Sequence, residues 1–328
     1  MKVGLPRALL FYYYDPLWQA FFHNLNIETV TSGNTTPHIV DNGVRNSVAE
    51  ICVPIKIFCG HVVDLLATDV DAIFIPRMIS VEERKRFCPK FLGLPDMMRN
   101  TVPGLEGRLL DPDVECRQES LVDMPNCDEF AKMLGKGSRD VKQAFAAARE
   151  QWEVFRRYHQ SGMNIDEALA ALNKKAEPLY EPLKTEKRLT IALLGYVYNI
   201  YDSFVGMDII KKLRSMGSDV VTFEMLDDKL VAEKLQRYSK TMPWTFTNKL
   251  LGAGNDFFDD PKIDGIIHVT AFGCGPDSML GRLLEFVAVD HHKPFMTVRV
   301  DEHTGEAHLS TRVEAFTDML RRKKYPVG

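Results

Sequence analysis

The sequence predicts an α/β protein, and three observations carry that expectation. Short apolar runs of the kind that fill buried parallel sheets recur, at Asp71-Ala-Ile-Phe-Ile, Arg188-Leu-Thr-Ile-Ala-Leu-Leu and Asp264-Gly-Ile-Ile-His-Val-Thr. Between them lie segments whose apolar residues return every three or four positions, the period of a helix with one buried face. This alternation of strand and helix occurs twice, and a chain of 328 residues is long enough for two such domains.

Val3 to Phe11 reads as the first strand, and Pro16 to Leu25 as a helix that presents Leu17, Phe21 and Leu25 on one face. Ile27 to Val30 is a short second strand. A polar segment from Thr31 to Pro37 leads into a helical stretch that ends before Cys52. Pro54 suits the first turn of the next helix, where its missing N–H is no loss, and Ile55, Phe58, Val62, Leu65 and Leu66 form the inner face. Asp71 to Arg77 is the next strand. Cys88 precedes Pro89, and proline pushes its predecessor into extended geometry, so Cys88 is placed on an extended loop. Gly107 to Leu110 gives a further strand.

From Asp128 to Pro182 the pattern is helical, with Phe145, Ala148, Trp152 and Phe155 on one face. The expected division is an N-terminal α/β domain over 1–127, a helical connector over 128–185 and a C-terminal α/β domain over 186–328. Arg188 to Gly195 is the clearest strand of the chain. A loop over 196–202, a helix carrying Ile210 and Leu213, and a strand at Val220 to Phe223 follow it. No G-x-G-x-x-G follows the 189–194 strand, which argues against a dinucleotide site. Asp264 to Thr270 and Pro294 to Arg299 are the remaining strands, and Thr311-x-x-Glu314 forms a capping-box pattern for the last helix.

A net charge of −4 leaves no electrostatic footprint for nucleic acid. No apolar run reaches the roughly 18 residues of a membrane span. The first residues lack the apolar stretch and cleavage site of a secretory signal, so a cytoplasmic location is expected. Six cysteines, at 52, 59, 88, 116, 127 and 274, are too scattered for a disulfide scaffold. None forms a C-x-x-C pair, which argues against zinc ribbons and ferredoxin-type runs.

Cys52, Cys88 and Cys274 share one setting, because each has a proline one or two residues later. At a helix start a thiolate meets unpaired N–H groups and the positive end of the helix dipole, which favours an anionic sulfur. Cys274 lies just past a strand, where open α/β sheets place their ligands, and its flanking glycines permit close approach to an anion. Three such thiolates could hold an iron–sulfur cluster with one iron left open. Three buried structural cysteines satisfy the same pattern.

The motifs Gly4-Leu-Pro-Arg-Ala-Leu, Cys52-x-Pro-x-Lys56 with Gly60-His61, Phe74-Ile-Pro-Arg77, Cys88-Pro-Lys90 with Gly93-Leu-Pro-Asp96, Cys274-Gly-Pro-Asp277 and Asp301-Glu-His-Thr-Gly305 together resemble one family over nearly the whole chain. It is the acyl-CoA dehydratase activase-related family, relatives of the 2-hydroxyacyl-CoA dehydratase subunits and double-cubane cluster proteins. The resemblance implies two Rossmann-like domains with a metal cluster between them, held by Cys52, Cys88 and Cys274. The cluster would be [4Fe-4S], with a double-cubane [8Fe-9S] form as the alternative.

Cys59 stands where the pattern leads one to expect histidine. It lies about two helical turns, roughly 10 Å, from Cys52 and could ligate only a second cubane. Lys56 is a candidate for balancing cluster charge, or a solvated lysine. Asp301 and His303 are candidates for proton transfer, or simply loop caps. Asp96 and Asp277 read as turn or cap residues.

The function this implies is an oxygen-sensitive dehydratase or reductase component that accepts low-potential electrons from an ATP-dependent activase with its own cluster. A non-catalytic iron–sulfur carrier or regulatory subunit that binds the activase is the alternative. A homodimer, or a heterodimer with a related subunit, is expected in either case.

Overall fold

The computed structural model describes residues 1–117, 127–173 and 188–326. The chain divides into two compact units, one formed by residues 1–156 with 243–245 and the other by residues 157–242 with 246–328. In chain order the first unit contains β1 (Lys2–Leu5), α1 (Phe11–Asn24), β2 (Glu28–Thr31), α2 (Pro37–Arg45), α3 (Val53–Leu66), β3 (Ala72–Phe74), β4 (Arg77–Ser80), α4 (Pro89–Leu92), α5 (Leu94–Thr101), β5 (Leu109–Leu110), β6 (Asp113–Glu115) and α6 (Cys127–Leu134). Helix α7 (Ser138–Gln160) begins there as well. The second unit contains α8 (Ile165–Leu172), β7 (Leu189–Leu194), α9 (Val197–Tyr201), α10 (Ile209–Ser215), β8 (Ser218–Thr222), α11 (Asp228–Leu235), α12 (Thr245–Asp259), β9 (Gly265–Ala271), α13 (Gly275–Asp290), β10 (Phe295–Val300) and α14 (Glu306–Lys324).

Each unit is built on a four-stranded parallel sheet, ordered β2-β1-β3-β5 in the first and β10-β9-β7-β8 in the second. Counted within its own sheet, each therefore runs second, first, third, fourth strand. A small parallel pair, β4 with β6, accompanies the first sheet. The α/β class with parallel sheets is thus as the sequence predicts. Its physical basis is visible in β9, where every residue from Gly265 to Ala271 is buried, as a strand covered on both faces requires. Among the described residues no helix is long and apolar enough to cross a membrane.

The core of the first unit is aromatic. Phe21 of α1 stacks on Phe145 of α7 with centroids 4.1 Å apart, and Phe130 of α6 stacks on both Phe21 and Phe74. Trp152 of α7 donates its indole N–H to the Tyr13 carbonyl at 3.2 Å. Helices α2 and α3 cross with their backbones in contact. A Cβ at Gly43 would overlap the Lys56 carbonyl oxygen, and a Cβ at Gly60 that of Ile39.

Several elements differ from the sequence reading. The first strand stops at Leu5, because Pro6 has no N–H to offer a ladder. Leu9 then takes a left-handed φ of 54°, and α1 starts at Phe11 with Pro16 inside it. Cys88 is not on an open loop: its φ of −59° and ψ of 146° satisfy Pro89 and make it the N-cap of α4. The expected loop over 196–202 contains α9. Thr311 lies inside α14, its hydroxyl donating to the Ala307 carbonyl at 3.0 Å, so the helix starts at Glu306 and no capping box forms there. The helical reading of 128–182 runs in part outside the described residues.

Candidate functional site

Two cysteines of the first unit occupy equivalent positions. Cys52 caps α3 with φ −65° and ψ 148°, and Cys88 caps α4 with nearly the same angles; neither uses its side chain to cap the helix. Each sulfur thus sits at a helix start, and that of Cys88 faces the first-turn N–H groups of Lys90 and Phe91. Cys52 is buried and Cys88 half-buried. Burial pushes the Cys88 thiol up, the backbone N–H groups of Lys90 and Phe91 pull it down, and charge on Cys52 pushes it up again. That last effect places the two sulfurs within electrostatic reach of each other. A cation bound to both would remove their mutual repulsion.

The two helices also share a wall. An apolar cavity of about 60 Å³ is lined by Phe58 of α3 and Phe91 of α4, with Trp18, Phe74 and Met78. Neither cysteine lines it; its walls come in part from the helices that Cys52 and Cys88 start. Asp15 lines the same cavity, and burial raises its carboxyl to about 6.

Arg77 anchors this arrangement. Its Nη1 donates to the Leu92 carbonyl at the end of α4 and to Asp96 Oδ2 in α5, both at 2.6 Å, and its Nε donates to Asp113 Oδ1 at 3.1 Å. The Arg77 hydrogen bond holds the Asp96 carboxyl below the usual range. Asp96, read from sequence as a turn or cap residue, lies in the first turn of α5 and is also the ion-pair partner of Arg77. Arg77→Ala is expected to lower unfolding free energy by about 2 kcal/mol, since three acceptors lose a charged donor at a partly exposed site. Urea unfolding measures it, and an unchanged midpoint would contradict the anchoring role.

The other candidates in this unit are tied into the structure. Lys56 is 3% exposed in the interior of α3. Cys59 is fully buried, its thiol donates to the Asn46 carbonyl at 3.4 Å, and burial pushes it up to about 11. Cys116 and Cys127 are buried as well. His61 has both ring nitrogens occupied, Nδ1 by Ser32 Oγ and Nε2 by Thr35 Oγ1, each at 2.9 Å, as a satisfied core histidine requires.

Burial lowers the His61 imidazole to about 4, and Arg7 adds to the effect. Its folded value lies below the ordinary 6.5 or so, so the unfolded chain takes up its proton first as the medium acidifies. The stability is complete above about pH 6.5 and is lost as pH falls toward about 4. Wild type is expected to lose about 2 kcal/mol more than His61→Gln between pH 7 and pH 4.5 in urea titrations. Parallel losses in the two proteins would show that His61 is not the titrating group.

In the second unit, Cys274 caps α13 without a side-chain capping bond, and its carbonyl accepts from Ser278 Oγ at 2.7 Å. Asp277, expected to be a cap or turn residue, is instead fully buried with Oδ1 2.9 Å from His268 Nε2. The sequence reading missed this pair. Its one signal was a histidine in the middle of an otherwise apolar strand. Asp301 Oδ1 accepts from the His303 N–H at 2.9 Å and from Thr304 Oγ1 at 2.8 Å, and Thr304 Oγ1 lowers its carboxyl. These bonds close the loop after β10 on itself, and the His303 side chain is exposed.

An iron–sulfur cluster needs three or four ligands in one place. Among the described residues no three of histidine, cysteine, aspartate and glutamate gather as a metal-binding group. Within the first unit the described residues thus offer two candidate ligands, Cys52 and Cys88, and bring no third from that unit to them.

The family model described as the CoA enzyme activase uncharacterised domain matches residues 2–226. No curated protein matches the chain. An activase is the activating partner and not the enzyme activated. The expectation of a dehydratase-type component fed by an activase is therefore corrected, and the alternative of a carrier that docks on an activase finds no support in the match either. The motifs around Cys52, Cys88 and Arg77 all fall inside the matched residues, and the chain belongs to the CoA enzyme activase domain family.

Proposed function

We propose that this chain activates a CoA-dependent enzyme, with a dehydratase as its partner, and that Cys52 and Cys88 are the core of its redox centre. The observation that carries the proposal is the pairing of two thiols at equivalent helix starts, each within electrostatic reach of the other, in a chain of the CoA enzyme activase domain family. An iron–sulfur cluster held there would supply one-electron transfer at a potential set by its surroundings. Cys274, at a helix start of the same kind, is included in the proposal as a third thiolate. The shared strand order of the two sheets supports reading each unit as Rossmann-like.

The residues around the pair have definable tasks. The first-turn N–H groups of α3 and α4 favour negative charge on the sulfurs. Arg77 fixes α4, and with it Cys88, relative to α5 and β6.

The proposal is tested by mixing the anaerobically prepared chain with a CoA-ester dehydratase and a chemical reductant and following dehydration. Dehydration should depend on the chain and stop when Cys52 is replaced by alanine. A rate that is the same with the chain omitted would refute an activating role.

A further inference from the structure

The second unit carries a polar cavity that the activating role leaves unexplained. Parallel pairing sets Thr297 of β10 beside His268 of β9, and Arg299 beside Thr270. Paired residues of a parallel ladder share a face and alternate residues return to it, so these four side chains form one polar patch running from the middle of the two strands toward their C-terminal ends. Helix α13 contributes Asp277, Ser278 and Gly281, and the patch lines a cavity of about 310 Å³. Ligands of open parallel sheets bind at this end of the strands.

Buried polar groups are normally hydrogen-bonded, and here several are not. His268 and Asp277 are fully buried and Thr270 is 5% exposed. Asp277 Oδ1 meets His268 Nε2 at 2.9 Å, but Asp277 Oδ2, His268 Nδ1, Thr270 Oγ1 and Thr297 Oγ1 have no partner among the described residues. Such a concentration of unsatisfied groups around one roomy cavity is the mark of a ligand site. A Cβ at Gly281 would stand 3.2 Å from His268 Cε1, so a glycine here leaves the imidazole unobstructed.

We infer that this cavity binds an oxyanion that carries a proton of its own, with hydrogen phosphate as the fitting species. Two threonine hydroxyls and the Arg299 guanidinium offer donors to anionic oxygens, and the first-turn N–H groups of α13 add a positive field. Asp277 Oδ2 can only accept while ionised, and so demands a hydroxyl on the ligand. Inorganic phosphate keeps at least one P–OH at neutral pH. Sulfate has none, and a phosphate monoester has largely lost its own by pH 7.5. The inference does not depend on the activating role proposed above.

Isothermal titration of the full chain at pH 7.5 with inorganic phosphate, sulfate and glycerol phosphate, at matched ionic strength, tests this. Phosphate should bind at least about tenfold more tightly than either competitor, the penalty for leaving the Asp277 acceptor unpaired or repelled. Thr297→Val and Arg299→Gln should each weaken phosphate about tenfold while leaving the far-UV spectrum unchanged. Binding of glycerol phosphate as tight as that of phosphate would show that the ligand's proton is not read, and would overturn the inference. Equal binding of sulfate, no heat with any of the three, or phosphate binding indifferent to both substitutions would overturn it as well.

Discussion

Gly60→Ala is expected to cost the protein about 3 kcal/mol or to prevent it from folding. The added Cβ would overlap the Ile39 carbonyl oxygen of α2, which is backbone and cannot swing aside. On the facing helix, Gly43 is equally close to the Lys56 carbonyl oxygen, so neither helix can retreat without losing the contact. Since α3 carries Cys52 at its start, the displacement would also disturb the cysteine pair. Gly33→Ala is the control, because a Cβ there meets nothing within 4 Å. Far-UV circular dichroism and the urea midpoint report the outcome, and equal midpoints for the two variants would show that the helices do not cross as closely as described.

Cys88→Ala is expected to abolish activation of the partner dehydratase while leaving the fold intact, whereas Cys116→Ala should leave activation unchanged. Both lose one sulfur from a mostly buried position, so loss of packing is comparable. They differ in setting. Cys88 stands at a helix start and feels the charge of Cys52, while Cys116 follows β6, its N–H donating to the Ser80 carbonyl at 2.9 Å. The dehydration rate and the circular dichroism spectrum decide between a chemical and a structural role. Equal loss of activity in both variants would remove the distinction between ligand and bystander.

The parallel sheets were legible because buried strands read as short continuous apolar runs, and nothing else in the chain imitates β7 or β9. The N-cap position of Cys52 was legible for a local reason, the proline two residues later. The same rule applied to Cys88 predicted its extended backbone correctly but not the helix that follows, since Pro89 to Leu92 is a single turn and too short to show a period. Pro16 misled for the opposite reason. It was read as a helix start, yet tertiary packing of Tyr13, Tyr14 and Leu17 extends α1 ahead of it.

The His268–Asp277 pair lay beyond sequence reasoning because it depends on how α13 packs across β9. The two residues are nine positions apart and their meeting is not fixed by either element's own period. The functional side of the reading failed differently. Thiolates at helix starts indicate redox or metal chemistry, but the same residues serve a donor and an acceptor equally well. Only the match to the CoA enzyme activase domain distinguished them.

The measurement that bears most directly on the central claim is the iron and acid-labile sulfide content of the chain prepared without oxygen, with electron paramagnetic resonance of the reduced form. The account predicts bound iron and sulfide in wild type, with a signal on reduction, and loss of all three in the Cys52→Ala, Cys88→Ala double variant. Iron and sulfide retained at wild-type levels in that variant would contradict it, as would their absence from wild type after anaerobic reconstitution.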